Sequence, residues 1–309
     1  MLDIKELHEK ILYPTVQVRT EKAGGSGTVI ASVEVDGEFR SYILTNYHVI
    51  AGAIDYKDKW DGYIGRDVKT EIRSPVQLGF YTYRRTSWLD SMDHKQADVV
   101  AHDETEDLAL IEMLSGKPPD YIAKLLPKLE ARGLLMGLPL IACGCSLLHK
   151  PLWSPAGVIT SLDERIDNVS FWMSNTSIIF GNSGGGMFLS NSGRFVGVPS
   201  RIDVTSIGFS PNAMPFLNYF IPITRVYEFL DFWQYQFVYD PEQDYHECVQ
   251  RRRDRQDELQ QVWEEKWKKA RRNVVGGGLS DNEPTEETHS VTDEYLKSLR
   301  NYRRPSGTD

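Results

Sequence analysis

From Thr15 onward the chain is a succession of short runs rich in β-branched and aromatic residues, separated by polar or glycine turns. "PTVQVRT", "GTVIASVEV", "SYILTNYHVI", "VQLGFYTYR", "ADVVAHD" and "DLALIEM" make a first group of about six strands. "LPLIACGCSL", "AGVITSL", "VSFWMSNTSII", "GMFLSN", "RFVGVPSRI" and "YFIPIT" make a second. Residues 119–132, "PDYIAKLLPKLEAR", interrupt the pattern as a helical or irregular link. The pattern predicts an all-β chain of two six-stranded antiparallel barrels, one over about 12–118 and the other over about 133–223. A short helix over residues 3–11 precedes them, with Ile4, Leu7 and Ile11 on one face. "TRVYEFLDFWQYQFVY", 224–239, reads as a helix docking an aromatic face and closes a domain spanning 1–239.

After Asp240 the pattern changes to a charged helical tail over 240–309. Its helix, from about Asp244 to Arg272, has only Leu259, Val262, Trp263 and Trp267 as an apolar stripe. A flexible linker over about 274–290 and a short terminal helix, "VTDEYLKSLRNYRR", follow. So narrow a stripe seeks a surface, so the tail is expected to carry a homo-oligomer contact or a protein partner.

Composition narrows the function. The chain has 309 residues, and its 40% apolar content includes 34 aromatics (7 Trp, 15 Tyr, 12 Phe), enough for a substantial core. A net charge of −9 gives no global field toward nucleic acid. The clusters "RRRDRQ" and "KWKKARR" are interleaved with acidic residues and read as a solvated helix, so nucleic acid is not an expected partner. No apolar run is long enough to cross a bilayer, and "MLDIKELHEK" lacks a signal-peptide core. Three cysteines, an odd number, point to reduced thiols and a cytoplasmic setting. "CGC" at 143–145 lacks a second ligand pair at metal spacing, so neither a metal nor a cofactor is expected.

Chemistry concentrates in "SIIFGNSGGGMF", 177–188, where four glycines surround Ser183. Glycine weakens a strand, so the backbone here has a shape that other residues resist. A serine nucleophile needs a base, and histidine, which titrates near neutrality, suits that role. "LTNYHVI" puts His48 at the end of an apolar strand, and "ETEDLALIEM" puts Asp107 at the start of another. A buried carboxylate orients an imidazole and stabilises its charged form. Gly181 and Ser183 can turn their N–H groups toward a developing oxyanion. His94 and His102 are alternative bases, Asp98 and Asp103 alternative carboxylates, and Cys143 or Cys145 an alternative nucleophile.

The order His, Asp, Ser resembles that of the trypsin-like serine peptidases, in their HtrA-like bacterial and viral branch. "GGSGTVI", "YILTNYHVI", "ADVVAHDETEDLALIEM", "AGVITSL", "SIIFGNSGGGMF" and "RFVGVPSR" are similar to that family's segments in the same order, between about Pro14 and Arg225. The resemblance implies a chymotrypsin-like fold with the site between two perpendicular barrels. It implies His48 as general base, Asp107 as its partner, Ser183 as nucleophile, and the N–H groups of Gly181 and Ser183 as an oxyanion hole. It also implies that Ser200 supports the aspartate, and that Ser177, Ile178 and Pro199 line a specificity pocket. Ser200, Arg201 and Ile202 would pair with an extended polypeptide substrate by strand addition. No PDZ-like module is expected after it, since the last 70 residues are few and highly charged. The segment from Asp55 to Gln96 exceeds the family norm and is either a lid or an extra hairpin. The expected activity is that of a serine endopeptidase acting through an acyl-enzyme. The alternative is a silent module that captures extended peptides.

Overall fold

The computed structural model describes residues 3–61, 66–154, 156–167, 169–207 and 210–275. These divide into two compact units after Phe229. The first opens with α1 (Ile4–Leu7), where Asp3 and Glu6 exchange side-chain and backbone hydrogen bonds as a capping box. The chain continues helically to Leu12, burying Ile11 and Leu12.

Eight strands follow: β1 (Thr15–Arg19), β2 (Gly24–Val35), β3 (Glu38–Thr45), β4 (Ile54–Asp61), β5 (Arg66–Arg73), β6 (Val76–Arg85), β7 (Trp88–Asp103) and β8 (Leu108–Ser115). A one-turn helix, α2 (Tyr47–Ile50), lies between β3 and β4. Six of the strands close a barrel in the order β1-β2-β3-β8-β7-β6. Its core is built from inward-facing Val16, Val18, Val29, Ile43, Leu78 and Ile111, with Val49 and Ile50 packed among them. Burying Val49 and Ile50 anchors α2 to the barrel and so fixes the residue between Tyr47 and Val49.

Among the described residues, β4 and β5 pair only with each other. The long insertion therefore contains an extra hairpin and, after it, the lengthened β6–β7 pair. Residues 119–127 are irregular and lie across both halves of the unit. Ala123 N–H donates to Val29 O, Phe195 N–H to Lys124 O, and Tyr227 Oη to Leu126 O. A single turn, α3 (Lys128–Ala131), ends this link.

The second half contains β9 (Pro139–Gly144), β10 (Leu152–Trp153), β11 (Gly157–Ile166), β12 (Val169–Ser174), β13 (Gly186–Leu189), β14 (Phe195–Ile207) and β15 (Ser210–Pro222). They form a seven-stranded sheet in the order β10-β9-β11-β12-β15-β14-β13, with β9 also pairing to β13. Ala142, Phe171, Phe188, Phe195 and Phe220 are buried in this half. One barrel is thus closed, and the second group of strands is a sheet joined at β9 and β13.

Helix α4 (Ile223–Phe232) runs into the second unit, where Gln236–Val238 form a 3-10 turn and α5 spans Tyr245–Val275. The 224–239 segment is therefore two short helical pieces, not one helix. The α5 start is capped by the Asp244 carboxylate, which accepts from Glu247 N–H at 3.0 Å. Arg252 and Arg255 stack on the rings of Tyr235 and Phe232 and donate to the carbonyls of Gln234 and Phe232. Arg251 bonds Gln234 and Gln243. Three of the "RRRDRQ" arginines thus pack within this unit. Val262 is exposed. The side chains of Leu259, Trp263 and Trp267, most of the linker and the terminal helix lie outside the described residues. No helix among the described residues is long and apolar enough to cross a membrane.

Candidate active site

His48 does not end the strand. β3 stops at Thr45, Asn46 is extended, and His48 sits inside α2. Its imidazole Nδ1 lies 2.9 Å from both Asp107 carboxylate oxygens, and its own N–H donates to Asp107 Oδ1 at 3.0 Å. Nδ1 therefore carries the proton, leaving Nε2 as the free base.

Asp107 reaches this position from a turn that bends just before β8. The Asp103 carboxylate accepts from Thr105 N–H and Glu106 N–H. Glu106 is paired with the half-buried Arg225. Asp107 then takes φ of 51°, a left-handed conformation that aspartate tolerates better than most residues. Its carbonyl accepts from Asn46 Nδ2 at 2.9 Å. Its second carboxylate oxygen accepts from Ser200 Oγ at 2.6 Å.

Ser200 is delivered by an irregularity in β14. Pro199 pairs with Phe220 and Arg201 with Tyr219, so Ser200 has no partner in β15. Pro199 has no N–H, and the strand bulges there, turning the Ser200 hydroxyl toward Asp107. On its other edge β14 pairs with β13 only as far as Gly197, apart from Gly184 N–H donating to Pro199 O at 3.2 Å. Among the described residues, the edge at Ser200, Arg201 and Ile202 is therefore unpaired on the side away from β15. Arg201 is exposed, with its guanidinium over the Phe171 ring, and Ile202 is half-buried.

The Ser183 loop is held chiefly by backbone. Ser26 N–H donates to Ser183 O at 2.8 Å, and Ser26 Oγ to Gly181 O at 2.6 Å. The Asn182 side-chain oxygen accepts from Ser146 Oγ and from Ile179 N–H. Gly181 has φ of +94° and Gly184 of +82°. A Cβ on Gly184 would lie 2.2 Å from Thr45 Oγ1 and from Ser26 O, and one on Gly181 2.5 Å from Cys145 O. Glycine is required at both by conformation and by space. The close approach of Gly184 to Thr45 and Asn46 brings the serine loop against the histidine turn.

Among the described residues, the N–H groups of Gly181 and Ser183 have no acceptor, and the Ser183 hydroxyl makes no hydrogen bond to His48. Ser177 is half-buried and its carbonyl accepts from Ser154 Oγ; Ile178 and Pro199 are buried. Phe180, at the edge of the loop, is 68% exposed.

The alternative residues are engaged elsewhere. His102 is buried on Glu71 at 2.9 Å, with its ring beside Tyr47. Burial pushes the Glu71 carboxyl up, but hydrogen bonds from His102 and Arg73 outweigh it and hold it at about 2. His94 lies in the β6–β7 ladder opposite Gly79. Asp98 lies in the β7–β8 ladder opposite Glu112, and Asp103 caps the turn. Cys143 and Cys145 are buried free thiols. Burial pushes Cys143 up to about 12 and Cys145 higher still, so both are neutral and poor nucleophiles. No group of metal-ligating residues occurs among the described residues.

The sequence pattern did not single out Ser26, Asn46 or Asn182. Ser26 stands between glycines in "GGSG", and Asn46 and Asn182 flank His48 and Ser183 at one or two positions. A polar residue enclosed in glycines or apolar runs was the available signal.

The closed barrel and the second sheet are those of a peptidase domain. The family model of the trypsin-like peptidase domain matches residues 25–198, and the chain belongs to that family. Its fold is similar to that of the HtrA-type protease AlgW, solved with a tripeptide, at 18% identity and a TM-score of 0.52. The match covers 74% of this chain and 63% of AlgW, so the chain spans under two thirds of that protein's length. Deg5 matches at 20% identity over 72% of this chain and 90% of its own, with a TM-score of 0.49. A search of curated proteins found no match.

Proposed function

We propose that the chain is a serine endopeptidase in which His48, Asp107 and Ser183 act as one catalytic group. The observation that carries the reading is Asp107, which takes His48 Nδ1–H on its carboxylate and the Ser200 hydroxyl on its second oxygen. So held, the imidazole presents Nε2 as the base. The Ser183 hydroxyl gives its proton to Nε2 as Oγ attacks the scissile carbonyl. The free N–H groups of Gly181 and Ser183 then receive the oxyanion. Collapse of that intermediate passes the proton from Nε2 to the leaving amine and leaves an acyl-enzyme. A water activated by the same nitrogen releases it.

An extended polypeptide is the fitting substrate, because the unpaired edge of β14 at Ser200–Ile202 offers backbone groups beside the candidate nucleophile. We read the second sheet, through its β9–β13 pairing, as the second barrel of a chymotrypsin-like pair. Ser177, Ile178 and Pro199 bring no carboxylate to the pocket. A small or medium aliphatic residue, such as Val, Ala or Leu, is therefore favoured before the cleaved bond over Arg or Lys. A peptide-library profile led by Arg or Lys would refute this preference. The cytoplasmic setting is kept as part of the proposal.

Labelling with a fluorophosphonate, with the modified residue mapped, tests the mechanism. Adduct on Ser183 that is lost in His48→Ala supports it. The second reading, a module that captures peptides without cutting them, draws on the missing hydrogen bond between Ser183 and His48. Active-site hydrogen bonds often close only with substrate present, which favours the enzyme. Peptide binding without any labelling would favour the module.

A further inference from the structure

The turn that delivers Asp107 has the sequence "DETED", 103–107, which puts four carboxylate side chains into five residues. Like charges this close repel one another, and Asp103 and Asp107 are buried, where screening is weakest. The turn is also strained. Asp107 has φ of 51°, and a non-glycine residue keeps that conformation only where its surroundings hold it. Asn46 holds the Asp107 carbonyl, and His48 and Ser200 hold its carboxylate.

The residues before Asp107 are met from the second half of the same unit. β14, which supplies Ser200, pairs with β15, and β15 leads directly into α4. Ile223, Val226 and Tyr227 are buried, and Tyr227 Oη donates to Leu126 O, so the start of α4 is fixed. Arg225 lies among them and forms an ion pair with Glu106, the residue before Asp107. Only 16% of the Arg225 side chain is exposed. Burial pushes its guanidinium down from the ordinary value, while Glu228 and Asp103 act in the opposite direction. One cation therefore faces two acidic groups of the turn, Asp103 and Glu106.

We infer that Arg225 is a positioning residue for the Ser183 reaction: by offsetting the charge of Glu106 and Asp103, it keeps Asp107 in the left-handed conformation that receives His48 Nδ1–H. With Ser200, it makes β14, β15 and the start of α4 the frame that sets the carboxylate against the imidazole. The guanidinium touches none of the reacting groups; its effect passes through Asp107 to His48. Without it, the half-buried Glu106 carboxylate turns toward water and rotates the peptide that joins it to Asp107. The effect on the reaction rests on the peptidase reading above; the hold on the imidazole does not.

Two readouts on the full chain test this. The first is the tautomer of His48, read at alkaline pH from the nitrogen-15 shifts of its ring in histidine-labelled protein and assigned by their loss in His48→Ala. The second is the rate of fluorophosphonate labelling at Ser183. The unaltered chain should show the Nδ1–H tautomer. Arg225→Met keeps the bulk and removes the charge; it should bring in the Nε2–H tautomer and slow labelling about tenfold or more. Glu106→Gln should act in the same direction, and the two changes together should cost no more than about threefold beyond the larger single loss. If Arg225→Met fails to fold by circular dichroism, Glu106→Gln carries the test. An unchanged tautomer and labelling rate, even with a lower denaturant midpoint, would make the ion pair structural only and overturn the proposal. Effects in Arg225→Met that are missing from Glu106→Gln overturn the path through Glu106. An Nε2–H tautomer in the unaltered chain overturns the hold on the imidazole. Absence of labelling in the unaltered chain overturns the peptidase reading, and the tautomer still decides the positioning.

Discussion

The His48 turn and the Ser183 loop meet at Gly184, yet they hold their residues by different means. Asp107 is fixed through its charge: it accepts from His48 Nδ1, His48 N–H and Ser200 Oγ. The Ser183 loop is fixed through its backbone, with carbonyls pinned by Ser26 and Leu147, and the N–H groups of Gly181 and Ser183 left open. A general base needs one tautomer and one orientation, which a carboxylate supplies. An oxyanion site needs donors aimed at empty space, which a shaped backbone can supply. Substitutions should therefore act by polarity in the first region and by volume in the second.

The largest effect tests whether both regions serve one reaction. Ser183→Ala or His48→Ala should lower peptidase turnover roughly 10⁶-fold, and Asp107→Asn about 10⁴-fold by permitting the wrong tautomer. Near-normal turnover by the Ser183→Ala chain would break the comparison outright.

Gly184→Ala probes the backbone region by volume alone. Its Cβ would strike Thr45 Oγ1 and Ser26 O, with φ at +82°. It should cost about 2–5 kcal/mol in denaturant unfolding. Gly186→Ala would meet chiefly the Phe188 ring and should cost less, because a side chain yields where backbone does not. Equal costs would show that the fit to the histidine turn is not what demands glycine.

Ser200→Ala probes the charged region. Losing one hydrogen bond to a carboxylate should lower kcat/KM about ten- to a hundredfold, in line with about 1.5–3 kcal/mol. Folding stability should change less than activity if Ser200 acts through Asp107.

Glu71 sharpens the picture from behind. Its hairpin reaches His102, which lies beside Tyr47, the residue before His48. Its folded-state value of about 2 is below the ordinary 4.5, so its contribution is full above about pH 4.5 and is lost as pH falls toward 2. Glu71→Gln should therefore lower stability by roughly 1–3 kcal/mol near neutrality and by little near pH 2. A loss independent of pH would assign the effect to packing.

The smallest effect is expected from removing residues after Asp240. Such a chain should still label at Ser183 while changing its solution mass or partner binding. Loss of labelling with the barrel intact would tie the tail to the active site.

His48, Asp107 and Ser183 could be proposed along the chain because each stands in a local pattern: an apolar strand, a turn before "LALI", a glycine cluster. The strand runs and the short helix at the start of the chain were legible for the same reason, since short-range periodicity is a property of neighbouring residues. The one-turn helix around His48 was not, because its apolar residues continue the strand's composition and only the barrel core turns Val49 and Ile50 inward. The Ser200–Asp107 bond joins residues 93 positions apart, and the bulge at Pro199 sets its aim. Arg252 and Arg255 of "RRRDRQ", read along the chain as part of a solvated face, are packed on Tyr235 and Phe232. Sequence by itself determined which chemical groups are present and which backbone they tolerate, because those depend on the residue and its neighbours. Tertiary structure alone decided which groups touch, because strand register, bulges and helix packing are settled between segments distant in the chain.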